Sequence, residues 1–309
     1  MGGSSYDRPV YTSTGGSSYS DDSDTLYSKR HKVHQDVLMD GERRIFTDAK
    51  NPICIALDVT GSMGNSAKIM FDKMPMFWGQ IEQKGYLPDP SVSFAAIGDA
   101  YCDTAPLQVT QFEKGKKIDE WLDKIWLEGG GGGQTMESYD LAALFYVQRC
   151  SVPNMEHGFF FFIGDEDYYK ELDGKKTDPI FQELMFKFDT YFIHWPYNSY
   201  GGDDSRIVAS WKKLMGERFL ILDEPKAIVD IMLGIIAMRM GVRDMNEYED
   251  DLKNKGQSAS RIKKVRETIK KYERKKNSKD IVVIPSNKDI ASYRPLLPNR
   301  DPFRKRIAR

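Results

Sequence analysis

The chain has 309 residues, with 45 lysines and arginines against 46 aspartates and glutamates. This near-neutral balance gives no global field toward nucleic acid or a membrane surface. No run approaches the roughly 18 consecutive apolar residues of a membrane helix, and the N-terminus lacks the basic start and apolar stretch of a signal peptide. Cys54, Cys102 and Cys150 do not form the pattern of a disulfide framework or a zinc site. We therefore expect a cytoplasmic protein without a membrane span.

Residues 1–50 are predicted to form a disordered or extended leader. Residues 1–29 are rich in Gly, Ser, Tyr and Asp and supply almost no aliphatic side chains for a core. A solvated leader is the favoured interpretation. The alternative is a tethered acidic segment carrying Asp21, Asp22 and Asp24, which would occupy the ion site described below and restrain partner binding.

From residue 51 the pattern changes to short apolar runs that alternate with helical periodicity. Strands that are apolar on both faces and separated by helices are typical of a mainly parallel sheet covered on both sides. The third strand follows its neighbour too closely for a crossover helix, so it is predicted as an antiparallel edge strand. The predicted strands are 52–57, 91–97, 107–112, 158–163, 190–195 and 219–222, and the predicted helices are 66–84, 117–127, 137–150, 178–188, 205–215 and 226–240.

The predicted fold class is therefore α/β, a doubly wound, mainly parallel sheet with helices on both faces and one antiparallel edge strand. Residues 244–309 are predicted as a charged helical extension with a Pro- and Arg-rich tail. Within it, residues 261–279 are strongly basic. A solvated helix with an apolar stripe of Ile262, Val265 and Ile269 is favoured there. A surface for nucleic acid or an acidic partner is the alternative.

Three polar clusters follow strands or loops that should meet at one edge of this sheet. Asp58, Thr60 and Ser62 follow the first strand, Asp165 follows the fourth, and Thr135 follows five consecutive glycines. In an open α/β sheet, ligands bind outside the carboxyl ends of the strands. Carboxylate and hydroxyl oxygens suit a hard cation such as Mg²⁺ or Mn²⁺, with Ca²⁺ as a further candidate. Either aspartate alone could instead cap a helix or turn.

These residues resemble the metal-ion-dependent adhesion site of the von Willebrand factor A family. The segment DVTGSMG is similar to the family motif DxSxS, with Thr60 in place of the first serine. Thr135 in GGGGGQTMESYDLAA and Asp165 in FFFFIGDED match the family's later Thr and Asp. The glycines followed by Glu137 look like the intracellular branch, which includes copine-like, alpha-kinase-linked and MoxR-associated A domains, although Met136 replaces that branch's usual proline. The resemblance covers roughly residues 51–240 of the predicted domain, 51–243.

The resemblance implies both a fold and a function. It implies a doubly wound A domain that is not an enzyme and that binds a partner whose Asp or Glu completes the coordination of the ion. Intracellular bacterial members often work beside AAA ATPases of the MoxR type. In some members a mobile C-terminal helix, here 228–240, couples the metal geometry to helix position. The metal ligands that it implies are Asp58, Thr60, Ser62, Thr135 and Asp165.

Two other functions remain open. A Mg²⁺-dependent hydrolase or phosphoryl-transfer enzyme would use Asp58, Asp165 and Asp167, but dehalogenase-type enzymes need a second Asp where Thr60 stands, and bridging carboxylates for two metals are lacking. No catalytic residue is therefore predicted. A phosphate loop is disfavoured because no Lys-Ser or Lys-Thr follows the glycines. The remaining alternative is a structural component of a larger assembly, docked through its tails.

Further polar residues fall near the predicted site. Asp99 would either accept a hydrogen bond from a metal-bound water or cap a turn. Glu166 and Asp167 are interpreted as solvated loop acids rather than as groups that support the ligands. His194 and Trp195 are interpreted as packing residues rather than as ligand contacts.

Overall fold

A computed structural model describes residues 33–39, 43–129, 136–172, 174–196 and 203–273. Its centre is a sheet of six strands, which lie side by side in the order β6-β5-β4-β1-β2-β3. All neighbours are parallel except β2 and β3, which pair antiparallel at one edge. The predicted α/β fold with a mostly parallel central sheet is confirmed. The strands are β1 (Asn51–Asp58), β2 (Pro90–Ile97), β3 (Leu107–Val109), β4 (Phe159–Gly164), β5 (Asp189–His194) and β6 (Phe219–Ile221).

The central strands are buried along their whole length because both faces of the sheet are covered. Every residue of β1 and β4 is buried. Side chains alternate between the faces of a strand, so Phe159 and Phe161 of β4 enter one hydrophobic cluster and Phe160 and Phe162 enter the other. A run of four phenylalanines is therefore what this position requires, since it supplies both cores.

Helices form the two covering layers. The cluster around Phe160 and Phe162 contains side chains of α4, α5 and α6, and the opposite cluster contains side chains of the other helices. The helices are α1 (Asn65–Phe71), α2 (Met74–Lys84), α3 (Lys117–Leu122), α4 (Tyr139–Gln148), α5 (Asp178–Lys187), α6 (Ser205–Met215), α7 (Ile228–Met240), α8 (Met245–Asn254) and α9 (Ala259–Ile269). In the described ranges, none of the helices is both long and apolar enough to cross a bilayer.

Three predicted helices differ from the structure, and one of them, predicted over 117–127, ends already at Leu122. The helix predicted over 66–84 is divided into α1 and α2, because Pro75 lies in the first turn of α2, where a continuing helix would lose a hydrogen bond and meet a steric clash. The helix predicted over 137–150 begins only at Tyr139. Its first residues are instead in the short strand Met136–Glu137, which pairs in parallel with Asp167–Tyr168.

Both ends of the described chain pack on the sheet. Val37 and Ile45 are fully buried, and Ile45–Phe46 pairs with Cys150–Ser151. The described part of the predicted leader is therefore ordered, and residues 1–32 lie outside the described residues. At the other end, Tyr248 of α8 and Val265 of α9 belong to the same core as the sheet. The core thus continues past residue 243, while residues 274–309 lie outside the described ranges.

Candidate metal-binding site

The carboxyl ends of β1 and β4 bring the two predicted aspartate ligands together. The two strands are parallel neighbours. Asp58 is the last residue of β1, and Asp165 follows β4 directly. The Ser62 hydroxyl donates a hydrogen bond to Oδ1 of Asp165 at 3.0 Å. The loop after β1 and the loop after β4 therefore meet, although they lie 103 residues apart in the sequence.

The DVTGS segment curls so that its oxygens face one another. The Thr60 amide and hydroxyl both donate to Oδ1 of Asp58, at 2.9 Å and 2.6 Å. The hydroxyls of Thr60 and Ser62 are 3.1 Å apart. A single 3-10 turn, Gly61–Met63, produces this curl. Four of the five predicted ligands thus form one connected group, and the fifth, Thr135, lies outside the described residues.

Tyr139 belongs to this group, although the sequence analysis did not identify it. Its hydroxyl donates to Oδ2 of Asp58 at 2.6 Å. The ring is fully buried and lies edge-on to Phe192 and Trp211. A side chain at Gly164 would collide with the Tyr139 hydroxyl, so glycine is required at the end of β4. The sequence signal was slight, because an aromatic residue at the start of an apolar helix is normally a core residue.

The carboxylates of the site are buried without enough positive charge around them. Burial, followed by the negative charges of Asp58 and Glu166, raises the pKa of Asp165 to about 9. Burial and the nearby Asp58 carboxylate raise the pKa of Glu137 to about 11. Burial also raises the pKa of Asp58, although Thr60 and Tyr139 donate hydrogen bonds to it. Oδ2 of Asp165 and Oε2 of Glu137 are buried and have no hydrogen-bond partner.

This donor set fits a hard divalent cation. Carboxylate and hydroxyl oxygens are the ligands that Mg²⁺ and Ca²⁺ prefer, with water completing the shell. A bound cation would reverse the electrostatic penalty on these carboxylates, and Oδ2 of Asp165 has no other partner. Within the described residues, no three His, Cys, Asp or Glu side chains converge as a metal cage. Asp58 and Asp165 would therefore depend on hydroxyls and water for the remaining positions.

The neighbouring acids are less exposed than predicted. Asp167 is 2% exposed and accepts hydrogen bonds from Ser210 and Lys170, at 2.9 Å and 2.7 Å. Burial followed by the charges of Asp58 and Asp167 raises the pKa of Glu166 to about 7, and its Oε2 is buried without a hydrogen-bond partner. The interpretation of Asp167 as a solvated loop acid was therefore wrong, because the strand pairing of Asp167–Tyr168 draws this loop inward, whereas Glu166 is partly buried.

Two further predictions can be compared with the structure. Oδ1 of Asp99 accepts hydrogen bonds from the Tyr101 amide at 3.0 Å and from the Tyr169 hydroxyl at 2.8 Å. Of the two roles left open for Asp99, these contacts favour the turn cap. His194 is fully buried, and its Nε2 lies 2.9 Å from Oδ2 of Asp204. Its ring also stacks on Phe219, which agrees with a packing role.

Comparisons with known proteins give little beyond this geometry. No protein-family profile and no curated protein matches the sequence. The pilus adhesin SpaC from Lactobacillus rhamnosus GG, in its open conformation, is 9% identical with a TM-score of 0.46, covering 64% of this chain and 31% of that chain. A second SpaC crystal structure is 10% identical with a TM-score of 0.44, covering 64% and 32%. Proximal thread matrix protein 1 from the mussel byssus is 9% identical with a TM-score of 0.43, covering 65% and 49%.

The chain thus matches less than half the length of each of these structures. At such low identity and TM-score, no conclusion about function follows from the similarity.

Proposed function

We propose that this chain is a metal-dependent protein-interaction module with a von Willebrand factor A domain. One Mg²⁺-class ion, either Mg²⁺ itself or Mn²⁺ or Ca²⁺, would bind at the carboxyl edge of the sheet. When bound, the ion supplies a position at which an Asp or Glu of a partner protein coordinates. The residues that would hold the ion are Asp58, Thr60, Ser62, Thr135 and Asp165.

The observation that carries the proposal is the contact between Ser62 and Asp165. It joins the DVTGS segment to the acid after β4 at 3.0 Å, and Oδ2 of the same aspartate is buried without a hydrogen-bond partner. A buried carboxylate that lacks a partner is costly. An ion at this edge would compensate it, and the hydroxyls of Thr60 and Ser62 add ligands without adding charge.

The proposal assigns no catalytic residue. A hydrolase with a nucleophilic aspartate at Asp58 would need a second acid at position 60, and Thr60 there donates its hydroxyl hydrogen bond to Asp58 itself. For the partner, the family resemblance favours an AAA ATPase of the MoxR type. The proposed compartment is the cytoplasm, where buried thiols such as Cys54 and Cys150 stay reduced.

The test is a pull-down with the full-length chain as bait, in Mg²⁺ and in EDTA, with bound proteins identified by mass spectrometry. Asp58→Asn removes a proposed ligand. Asp103→Asn is the matched control, because Asp103 is buried at the same edge and its oxygen accepts a hydrogen bond from the Asp99 amide, which an asparagine oxygen also accepts. We expect a partner with wild type and Asp103→Asn in Mg²⁺ only. An identical set of proteins in every arm would contradict the proposal and favour docking through the tails.

A further inference from the structure

Glu137 is a buried acid that the predicted ligand set leaves out. The residue is 5% exposed, and its Oε2 has no hydrogen-bond partner. The charged groups that act most strongly on it are also acids, namely Asp58, Asp99, Asp103 and Glu166. Burying a carboxylate without a compensating charge is unfavourable, because the ion loses its hydration and gains no partner. Glu137 is therefore a buried acid to which none of the described residues offers a counter-charge.

The backbone around Glu137 is fixed to both sides of the site. Met136–Glu137 pairs with Asp167–Tyr168, just beyond the end of β4. The Ser138 amide donates to the Gly98 carbonyl at 3.2 Å, just beyond the end of β2. In the sheet, β1 lies between β4 and β2. The segment 136–138, which contains Glu137, therefore crosses the carboxyl end of β1, where Asp58 is located.

The next two residues in the chain strengthen this placement. Tyr139 donates its hydroxyl hydrogen bond to Asp58 at 2.6 Å. The Ser138 hydroxyl also accepts a hydrogen bond from the Ala100 amide at 2.9 Å. The two residues after Glu137 are thus fixed at this edge, Tyr139 by Asp58 and Ser138 by the residues beyond the end of β2.

We infer that Glu137, in the short strand Met136–Glu137, is a ligand of the ion and acts through its unpartnered Oε2. The inference rests on the proposed function, since it concerns the same ion. It adds a third carboxylate to Asp58 and Asp165. The three carboxyl groups do not converge as a metal cage in the described residues. A divalent cation would draw them together.

A third carboxylate changes what the loaded site recognises. With three negative ligands, the site that holds a divalent ion has a net negative charge. With the two aspartates alone, the loaded site would be neutral. Additional acidic ligands strengthen the binding of the ion. They also weaken its attraction for a partner's carboxylate. Glu137 thus strengthens the binding of the ion and weakens the attraction of the loaded site for a partner's carboxylate.

The experiment is a titration of the full-length protein with Mn²⁺, with free Mn²⁺ measured by electron paramagnetic resonance and bound water measured by water-proton relaxation. The variants are Glu137→Gln, which keeps the shape of the side chain, and Asp103→Asn. Asp103 is also buried at this edge, at 3% exposure, so its variant removes an acidic charge without removing a proposed ligand. Melting in EDTA shows that each variant is folded.

We expect Glu137→Gln to weaken Mn²⁺ binding at least about tenfold, the lower bound for groups that only support a ligand. The bound Mn²⁺ should then retain more water. Asp103→Asn should produce a smaller shift and no change in water. In EDTA, Glu137→Gln should melt no lower than wild type, because the amide keeps the shape of the side chain and needs no counter-charge, and the order should reverse in Mn²⁺.

Two results would overturn the inference, and they are distinguishable. If Glu137→Gln binds Mn²⁺ like wild type while Asp58→Asn loses it, Glu137 carries a proton at this edge and is not a ligand, and the proposed function stands. If wild type binds no Mn²⁺, the ion site itself fails and the proposed function fails with it.

Discussion

The two ends of the central sheet treat buried aspartates in opposite ways. At the amino end of β5, Asp189 lies 2.8 Å from Nε of Arg239 and 3.2 Å from Nη2 of Arg218. Burial is outweighed there by the nearby His157 ring, 3.9 Å away, by the positive charges of Arg239 and Arg218 and by the hydrogen bond from Arg239, and the pKa of Asp189 is lowered. At the carboxyl end of the neighbouring β4, Asp165 is surrounded by acids and its pKa rises to about 9.

The two ends differ in whether the chain supplies a counter-charge to the buried aspartate. Asp189 is neutralised by side chains of the same chain, so its charge contributes to stability. Among the described residues, no positive group compensates Asp165 in this way. Both aspartates are buried, at 7% and 2% exposure, so the two sites differ in the sign of the surrounding charge and not in burial.

The largest expected effect comes from removing the neutralised acid. Asp189→Asn leaves Arg239 and Arg218 partly buried without their counter-charge. Removing one partner of a buried ion pair costs about 3 kcal/mol or more, and we expect a loss of about that size in the free energy of unfolding in urea. The loss should be the same in Mg²⁺ and in EDTA. Asp165→Asn is the control, and in EDTA it should not destabilise. A variant at Asp189 as stable as wild type would refute the comparison.

Mg²⁺ should stabilise the protein through the other end of the sheet. A ligand that binds only the folded state, at roughly 100 times its dissociation constant, raises the free energy of unfolding by about 2.7 kcal/mol. We expect a gain of this size in wild type by scanning calorimetry and no gain in Asp58→Asn. Asp189→Asn should retain the full gain. Equal gains in wild type and Asp58→Asn would place any bound Mg²⁺ elsewhere.

In the ion-free protein, the contributions of Asp165 and Asp189 to the free energy of unfolding should change with pH in opposite directions. The pKa of Asp165 is about 9 in the folded state against an ordinary value of 3.8. The folded state therefore holds this proton more tightly, and its contribution to stability is complete below pH 3.8 and is lost as pH rises toward 9. The contribution of Asp189, whose pKa is lowered, is instead lost as pH falls below its ordinary value.

Urea unfolding in EDTA across this pH range checks the signs. Asp165→Asn should flatten the decline at high pH, and Asp189→Asn should flatten the decline at low pH. Saturating Mg²⁺ should suppress only the first of these. If stability at high pH is indifferent to Asp165→Asn, this carboxyl does not hold the raised pKa that the comparison requires.

The smallest effect concerns two tyrosines on α4. Tyr139 donates to Asp58, whereas the Tyr146 hydroxyl lies 2.8 Å from that of Ser93, and both side chains are fully buried. Each Tyr→Phe change removes one buried hydrogen bond and should cost about 1 kcal/mol in the free energy of unfolding. Only Tyr139→Phe should also weaken Mn²⁺ binding, because only Tyr139 orients a proposed ligand. Equal Mn²⁺ affinities would restrict Tyr139 to a structural role.

Sequence patterns predict the sheet well because they report burial directly. The runs that become β1 and β4 are apolar at every position, and only a strand covered on both faces requires that. The antiparallel edge strand also followed from the sequence, because too few residues separate it from β2 for a crossover. The polar residues at the strand ends followed in turn, since parallel strands place their carboxyl ends at one edge.

Contacts between distant residues could not be predicted in this way. The strand Met136–Glu137 forms because it pairs with Asp167–Tyr168, and this long-range pairing overrides the helical periodicity of the segment. The hydrogen bond from Tyr139 to Asp58 depends on the missing side chain at Gly164, which gives no signal without the sheet register. The division between α1 and α2 is different, because Pro75 marks it in the sequence itself.

Gly234, midway along α7, restricts the movement of α7 relative to α8 and α9. A side chain there would meet the tip of Ile269 and the ring of Tyr248, the latter at 2.8 Å. The absence of a side chain at Gly234 therefore leaves space on α7, and side chains of α8 and α9 fill it. If α7 moved along its axis by one helical turn, about 5.4 Å, the space at Gly234 would no longer face these two side chains. A larger residue of α7 would meet them instead. Movement of α7 alone would therefore lose this packing, so we expect α7 to move only together with α8 and α9.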